Sequence, residues 1–197
     1  MGTKLPLLFI FVFSTAPLAR LSSQWSASPE ISVVRFSGTA RDTSGHSIGP
    51  YGATAYGIRI DRQAGRWRFG LGLFHGTTGL VETGGGFTLI LEDELQLTEL
   101  VPTVSFRLVP VGDQTELWLE AGPAVIFWKP KDVESRTRGG AQATLAWEIR
   151  LSHRYSAVVR AGGSVSSSVF GASETPPDVV RRVTWCRGAS FAIRMRL

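Results

Sequence analysis

Three histidines, one cysteine and a scatter of carboxylates and guanidiniums are the groups in this 197-residue chain that could do chemistry. Nucleophilic catalysis needs a hydroxyl or thiol held beside a base. His153 lies in the polar run Ser152-His153-Arg154-Tyr155-Ser156, which has the character of a turn, and His46 and His75 stand alone with no Cys, Asp or Glu at ligand spacing. No catalytic or metal-binding residue is assigned on this basis, and nothing in the chain calls for a cofactor. Cys186, the single cysteine, excludes an internal disulfide and a multi-cysteine metal site. The acidic run Glu92-Asp93-Glu94 lacks the pattern of a calcium loop and reads as a solvated strand end. Arginine is the conspicuous choice: 18 of the 21 basic residues are arginine, set against 16 acids for a net charge of +5. A guanidinium is a permanently charged fork suited to paired carboxylates or phosphates. These arginines are spread singly through apolar segments instead of forming a patch, which argues against a nucleic-acid partner.

The elements that must position them have a period of two. Between Arg66 and Phe74, one face carries Trp67, Phe69, Leu71 and Leu73, and the other carries Arg66, Arg68, Gly70, Gly72 and Phe74, the alternation of a strand. The same pattern recurs over 56–61, 100–108, 117–127, 143–151, 157–165 and 189–197, with a weaker segment over 31–41, which makes eight strands. The connections alternate: 61–65, 110–114 and 152–155 are short, whereas 42–49, 77–86, 129–140 and 171–180 are long. Short turns at one end and long loops at the other predict an all-β fold, an eight-stranded antiparallel up-and-down transmembrane β-barrel. The even count lets the last strand close on the first.

Residues 1–23 form a leader. Lys4 precedes an apolar core over 5–13 and a small-residue tail ending at Ala19, the layout of a secretory signal peptide cut between about 16 and 23, with the barrel domain at 24–197. The apolar core is well short of the roughly 20 residues that a spanning helix needs.

Charge decides which face of the sheet is inside. A soluble barrel turns apolar side chains inward, and a membrane barrel inverts this. Here bulky apolar residues alternate with Arg59, Asp61, Arg68, Glu99, Arg107, Glu116, Glu120, Glu148, Arg150, Arg160, Arg194 and Arg196, interspersed with Gly, Ala, Ser and Thr. Small residues suit a crowded lumen, and buried charges persist only when paired. We therefore expect a lumen charge network of Arg59, Arg68, Glu99, Arg107, Glu120, Glu148, Arg150, Arg160 and Arg194, with Glu120, Glu148 and Arg150 pairing across neighbouring strands. Cys186 should face inward with Thr184 and Gly188 as a small filler. Trp67 and Phe106 near the short turns, and Phe127, Trp128, Phe170 and Trp185 near the long loops, are placed for two interfacial girdles. The apolar set runs on odd positions from Leu89 to Leu97 and on even positions from Leu100 to Leu108, a slip that predicts a bulge near Glu99. Residues 87–97 would then extend beyond the outer leaflet, packing against 77–81 or forming an apolar lip for a ligand.

At this point the chain resembles the small eight-stranded bacterial outer-membrane β-barrel proteins, of the OmpA-transmembrane, OmpX and OmpW kind, over about residues 30 to 197. The resemblance is carried by the pair from Thr98 to Arg107 and from Leu117 to Pro123, similar to that family's central hairpin. It is carried also by the terminal alternation of Phe191, Ile193, Met195 and Leu197, similar to the family's C-terminal assembly signal, which here ends in leucine instead of an aromatic residue. It implies location in the cell outer membrane, contact with outer-membrane lipids and lipopolysaccharide, dealings with the outer-membrane assembly machinery, and a monomer able to meet other envelope proteins. Lys129, Lys131, Arg136 and Arg138, on a long loop beside Trp128, are the residues placed to contact lipopolysaccharide phosphates. The implied role is structural or surface-interacting and non-catalytic. A narrow pore or conduit for a small hydrophobic ligand is one alternative. A lipid A-modifying enzyme is another, although the surroundings of His153 differ from the His-x-Ser spacing of outer-membrane deacylases.

Overall fold

The computed structural model describes residues 24–37, 40–41, 45–110, 114–131, 134–170, 180 and 183–197. The expected leader lies outside the described residues. The strands are β1 (Gln24–Ser37), β2 (Ala40–Arg41), β3 (Ser47–Ala64), β4 (Trp67–Gly84), β5 (Phe87–Pro110), β6 (Thr115–Pro130), β7 (Arg136–Arg150), β8 (Tyr155–Ser166) and β9 (Thr184–Arg196). Of these, β2 is a two-residue stub on the first residues of β3. The other eight run antiparallel in the order β1-β9-β8-β7-β6-β5-β4-β3, and β1 pairs with β3 to close the sheet into a barrel.

Closure gives every wall strand a hydrogen-bonded neighbour on both sides, which is what allows strands to cross lipid. No helix among the described residues is long and apolar enough to cross a membrane. The two faces are sharply different. On β4, Leu71 is 49% exposed, whereas Arg68 is 2% exposed. Around the barrel Ile58, Ile60, Phe69, Leu73, Val104, Leu119, Leu145, Val159 and Phe191 all project outward. An apolar belt outside and ionic groups inside is the inverted pattern of a barrel embedded in the outer membrane.

Strand length departs from expectation. A membrane crossing takes about 9 to 11 residues, yet β3 and β4 have 18 and β5 has 24. The expected long loop over 77–86 is therefore strand almost throughout: β4 and β5 are joined by Gly85 and Gly86, at φ of 56° and 82°, a two-residue turn that suits glycine. Likewise β3 continues to Ala64, leaving only Gly65 and Arg66 to turn. Backbone pairing continues above the membrane wherever both strands lack a breaker, and β-propensity in a loop composition does not reveal this.

The bulge expected near Glu99 is absent. The pairing of β4 with β5 is regular there, as Phe74 faces Glu99 and His75 faces Thr98. Leu95, Leu97, Val101, Thr103 and Ser105 all point inward on one continuous parity. The slip in the apolar pattern records a change in the lumen, apolar near the surface end and polar below it. The irregularity lies higher, between Thr78 and Leu80, where β5 inserts residues after Leu91.

Prolines interrupt two seams. The ladder of β5 with β6 stops at Leu100–Val125 and resumes in the same register at Val104–Ala121, so Pro102 and Pro123 would stand opposite each other. Neither has an N–H to give. Pro29 marks a similar gap between β1 and β9, from Ala27–Met195 to Glu30–Ala192.

Candidate functional site

The lumen is built in layers from inward-pointing residues of every wall strand. At the end that bears the turns after β3, β5 and β7, the expected periplasmic end, Trp118 is fully buried with Ala146, Val158 and Ala192. The Arg68 guanidinium stacks on the Trp118 ring, 3.8 Å from its centroid. Arg68 Nη2 also donates to Glu148 Oε2 at 2.9 Å. Glu148 is gripped further by Arg194 Nη1, and Arg194 Nη2 reaches Asp61 Oδ2 at 3.1 Å. Arg196, less buried, adds a contact to Glu148 Oε1 at 3.5 Å.

The next layer is an alternating square of two guanidiniums and two carboxylates. Arg160 Nη1 donates to Glu30 Oε2 at 2.9 Å and Arg160 Nε to Glu120 Oε2 at 3.0 Å. Arg59 meets the same two acids, Glu30 Oε2 at 3.5 Å and Glu120 Oε2 at 4.0 Å, and donates to Thr103 Oγ1 at 3.2 Å. Ser190 Oγ completes Glu30 with a bond of 2.5 Å to Oε1. Each ion thus has partners of opposite sign on either side, the condition under which buried charge is tolerated.

Small residues make room for this. A methyl group on Gly70 would run into Asp61 Oδ1 and come within 2.8 Å of Thr103 Oγ1. The Phe74 ring lies over Gly57 and Gly72 in the same way, with the Arg59 guanidinium 5.5 Å from its centroid. Above the square, Glu99, Gln142, Thr144, Ser164, Cys186 and Ser190 line a chamber of about 90 Å³ against Arg59, Arg160 and Phe74. The surface end is closed by an apolar plug of Ala53, Leu95, Leu97, Ile126, Trp128 and Val169, backed by Val34, Phe36 and Leu80.

Several residues lie elsewhere than the sequence suggests. Arg150, although on the inward parity, is exposed at the end of β7 and joins no ion pair among the described residues. Glu120 and Glu148 do not pair across neighbouring strands with it, since each finds arginines from strands further round the barrel. The cause is width: eight strands bring opposite walls within reach of a long guanidinium. Arg107 sits at the periplasmic mouth, half-buried, bonding Glu116 Oε1 at 3.1 Å. Trp128 is fully buried in the plug and so is not part of the outer girdle, where Phe127 and Trp185 are exposed; Phe170 is partly buried. Trp67 and Phe106 lie together at the periplasmic end, ring centroids 4.8 Å apart, and Trp25 and Trp147 extend that belt.

Glu30 was missed, although it sits in both the square and the chamber. Its segment, Ser26-Ala27-Ser28-Pro29-Glu30, has too few bulky residues to show a period, and the only signal is its alternation with Ile31 and Val33. Asp61 appeared on the polar face, but its position near a turn hid its pairing with Arg194.

On the long loops, Arg136 Nη1 donates to the Val169 carbonyl at 3.0 Å and Arg138 Nε to that of Ser168 at 2.6 Å, tying β7 to the segment after β8. Lys129 and Lys131 are exposed. The histidines are far apart in role. His75 contacts Thr98 Oγ1 at 3.0 Å on the outer face, His46 lies near the Phe87 ring, and His153 is exposed in the turn between β7 and β8. No group of three His, Cys, Asp or Glu residues able to hold a metal occurs among the described residues.

No protein-family model matches the chain, and no curated protein matches it in sequence. Among solved structures it is similar to Neisserial surface protein A, at 9% identity over 88% of this chain and 97% of that one, with a TM-score of 0.54. It is similar also to the outer membrane protein OprG from Pseudomonas aeruginosa, at 10% identity over 88% of this chain and 96% of that one, with a TM-score of 0.57. At such identities the likeness is one of fold, and it extends over nearly the whole barrel.

Proposed function

We propose that this chain, built on the fold of the small outer-membrane barrels, is a non-catalytic integral barrel whose role is structural or lies in what its surface end meets. The observation that carries this reading is the stacked lumen: Trp118, two ionic layers and the plug around Trp128 fill the interior from one end toward the other. A barrel of eight strands has an interior that side chains can fill. His75, which contacts the Thr98 hydroxyl at 3.0 Å, is on the outward face of the wall and away from the chamber, and His153 is exposed in a turn, which supports a non-catalytic reading. Outer-membrane lipids surround the belt, lipopolysaccharide phosphates are suitable partners for Lys129 and Lys131, and Arg136 and Arg138 act chiefly by fixing the adjacent loop. The barrel enters the membrane through the outer-membrane assembly machinery and works as a monomer.

Single-channel recording on refolded protein in planar bilayers tests the reading. The expected result is no stable conductance, and a steady ion-channel current would overturn it.

A second reading, a conduit for a small hydrophobic ligand, is favoured by one observation. The upper lumen is apolar, and the hairpin above it exposes Phe87, Leu89, Ile90 and Leu91. Saturable binding of an apolar fluorophore that is lost on Leu97→Asp would support this conduit over a plugged barrel.

A further inference from the structure

The buried ions of the lumen balance without Glu99. Arg59, Arg68, Arg160 and Arg194 stand against Glu30, Asp61, Glu120 and Glu148, four to four, and every one of them makes at least one ion pair. Glu99 is outside this arrangement. It projects from β5 into the chamber of about 90 Å³ above the square, shares that chamber with Arg59 and Arg160, and makes no ion pair or hydrogen bond among the described residues. The two neighbouring arginines are already committed to Glu30 and Glu120. Glu99 therefore faces open volume with no group bonded to its carboxylate, and Arg59, which acts on it through space, is already shared by two other acids.

The rest of the wall suits a small polar guest. Gln142, Thr144, Ser164 and Ser190 offer uncharged oxygens to the chamber, and Gly162 and Gly188 keep the opposite wall free of bulk. A volume of this size has room for only a few water-sized groups. Arg160 Nη2 lacks an acceptor, but Arg160 is already neutralised by two acids, so what it lacks is a hydrogen bond, which a neutral oxygen supplies. An uncompensated carboxylate in a confined interior is disfavoured unless it takes up a proton or a cation joins it.

We propose that the chamber is a binding site for one small monovalent cation, an alkali ion or a short primary ammonium, held against the Glu99 carboxylate. The site lies between the square and the plug and is distinct from any contact at the surface loops.

The chamber is enclosed, so the guest is supplied while the barrel refolds. The full barrel is refolded in zwitterionic detergent with potassium, methylammonium or tetraethylammonium chloride at equal ionic strength, and the urea midpoint is read from the heat-dependent gel shift. A guest that binds only the folded state raises that midpoint. Potassium or methylammonium should raise it above the value in tetraethylammonium, which is too large for the chamber. Glu99→Gln should remove the difference and Glu99→Asp should keep it. A rise with methylammonium alone identifies an organic ammonium as the guest, and a rise with potassium alone identifies an alkali ion. Equal midpoints in all three salts, or a difference that survives Glu99→Gln, would each overturn the proposal.

Discussion

Glu148 holds three arginines at once, Arg68, Arg194 and Arg196, and it is almost wholly shielded from solvent. Removing it leaves two deeply buried guanidiniums under-compensated, at a cost of about 3 to 5 kcal/mol. Glu134 is exposed between β6 and β7, and an exposed charge contributes about 0 to 1 kcal/mol. Denaturant midpoints in one detergent should accordingly fall clearly for Glu148→Ala and scarcely for Glu134→Ala. Gly70→Ala probes the space instead of the charge. Its new methyl would collide with Asp61 and Thr103, so the same measurement should show a loss of about 1 to 3 kcal/mol, the usual cost of overpacking. At this scale the sequence was legible where a charge alternated with bulky apolar neighbours in the middle of a strand, as Glu120, Glu148 and Arg160 do, and it failed for Arg150, which alternates with Ile149 and Leu151 but is exposed at the end of β7. It was opaque where the strand was weak, as around Glu30, and where partners sit on non-adjacent strands, because alternation names a face and not a counterpart.

At the scale of elements, β4 and β5 form the tallest hairpin, and its two halves have different duties. Leu95 and Leu97 are inside the plug, whereas Leu89, Ile90 and Leu91 are exposed above the barrel. Leu97→Ala should therefore destabilise by about 2 to 5 kcal/mol, as truncation in a packed core does. Ile90→Ser should change the midpoint by no more than about 0.5 kcal/mol. Equal losses would mean that the tip packs as tightly as the plug. The hairpin shows also why boundaries were harder to read than strands. A run such as Thr77 to Gly86 carries enough Gly and Thr to resemble a loop, yet it continues a ladder begun below it, and only Gly85 and Gly86 adopt the turn. The apolar pattern that changes parity at Glu99 has two explanations, a kink in the backbone or a change of medium inside the lumen, and periodicity alone does not separate them.

For the whole molecule, the arrangement of apolar belt and ionic lumen was legible from the chain because it rests on a regular alternation repeated around the barrel. The filling of the lumen was less so, since Trp128 looks like a belt aromatic until the register turns it inward, whereas Phe74 already shares the face of Arg68. If the packed interior seals the barrel, wild-type protein should pass no steady current, and Trp128→Ala combined with Leu97→Ala should admit small solutes through the surface half more readily. Liposome swelling with sugars of graded size measures this, and identical swelling for both proteins would place the barrier elsewhere.

The alternating square also dictates an order of events. Glu30 comes from β1, Arg59 from β3, Glu120 from β6 and Arg160 from β8, so no single hairpin contains the set. A half-formed sheet lying in hydrocarbon would bear bare carboxylates and guanidiniums on the face that later becomes the lumen, a heavy penalty at membrane depth. The chain consequently has no favourable way to enter strand by strand: its sheet must curl and meet its own edge while sheltered, and burial in lipid and closure of the ring become one cooperative transition.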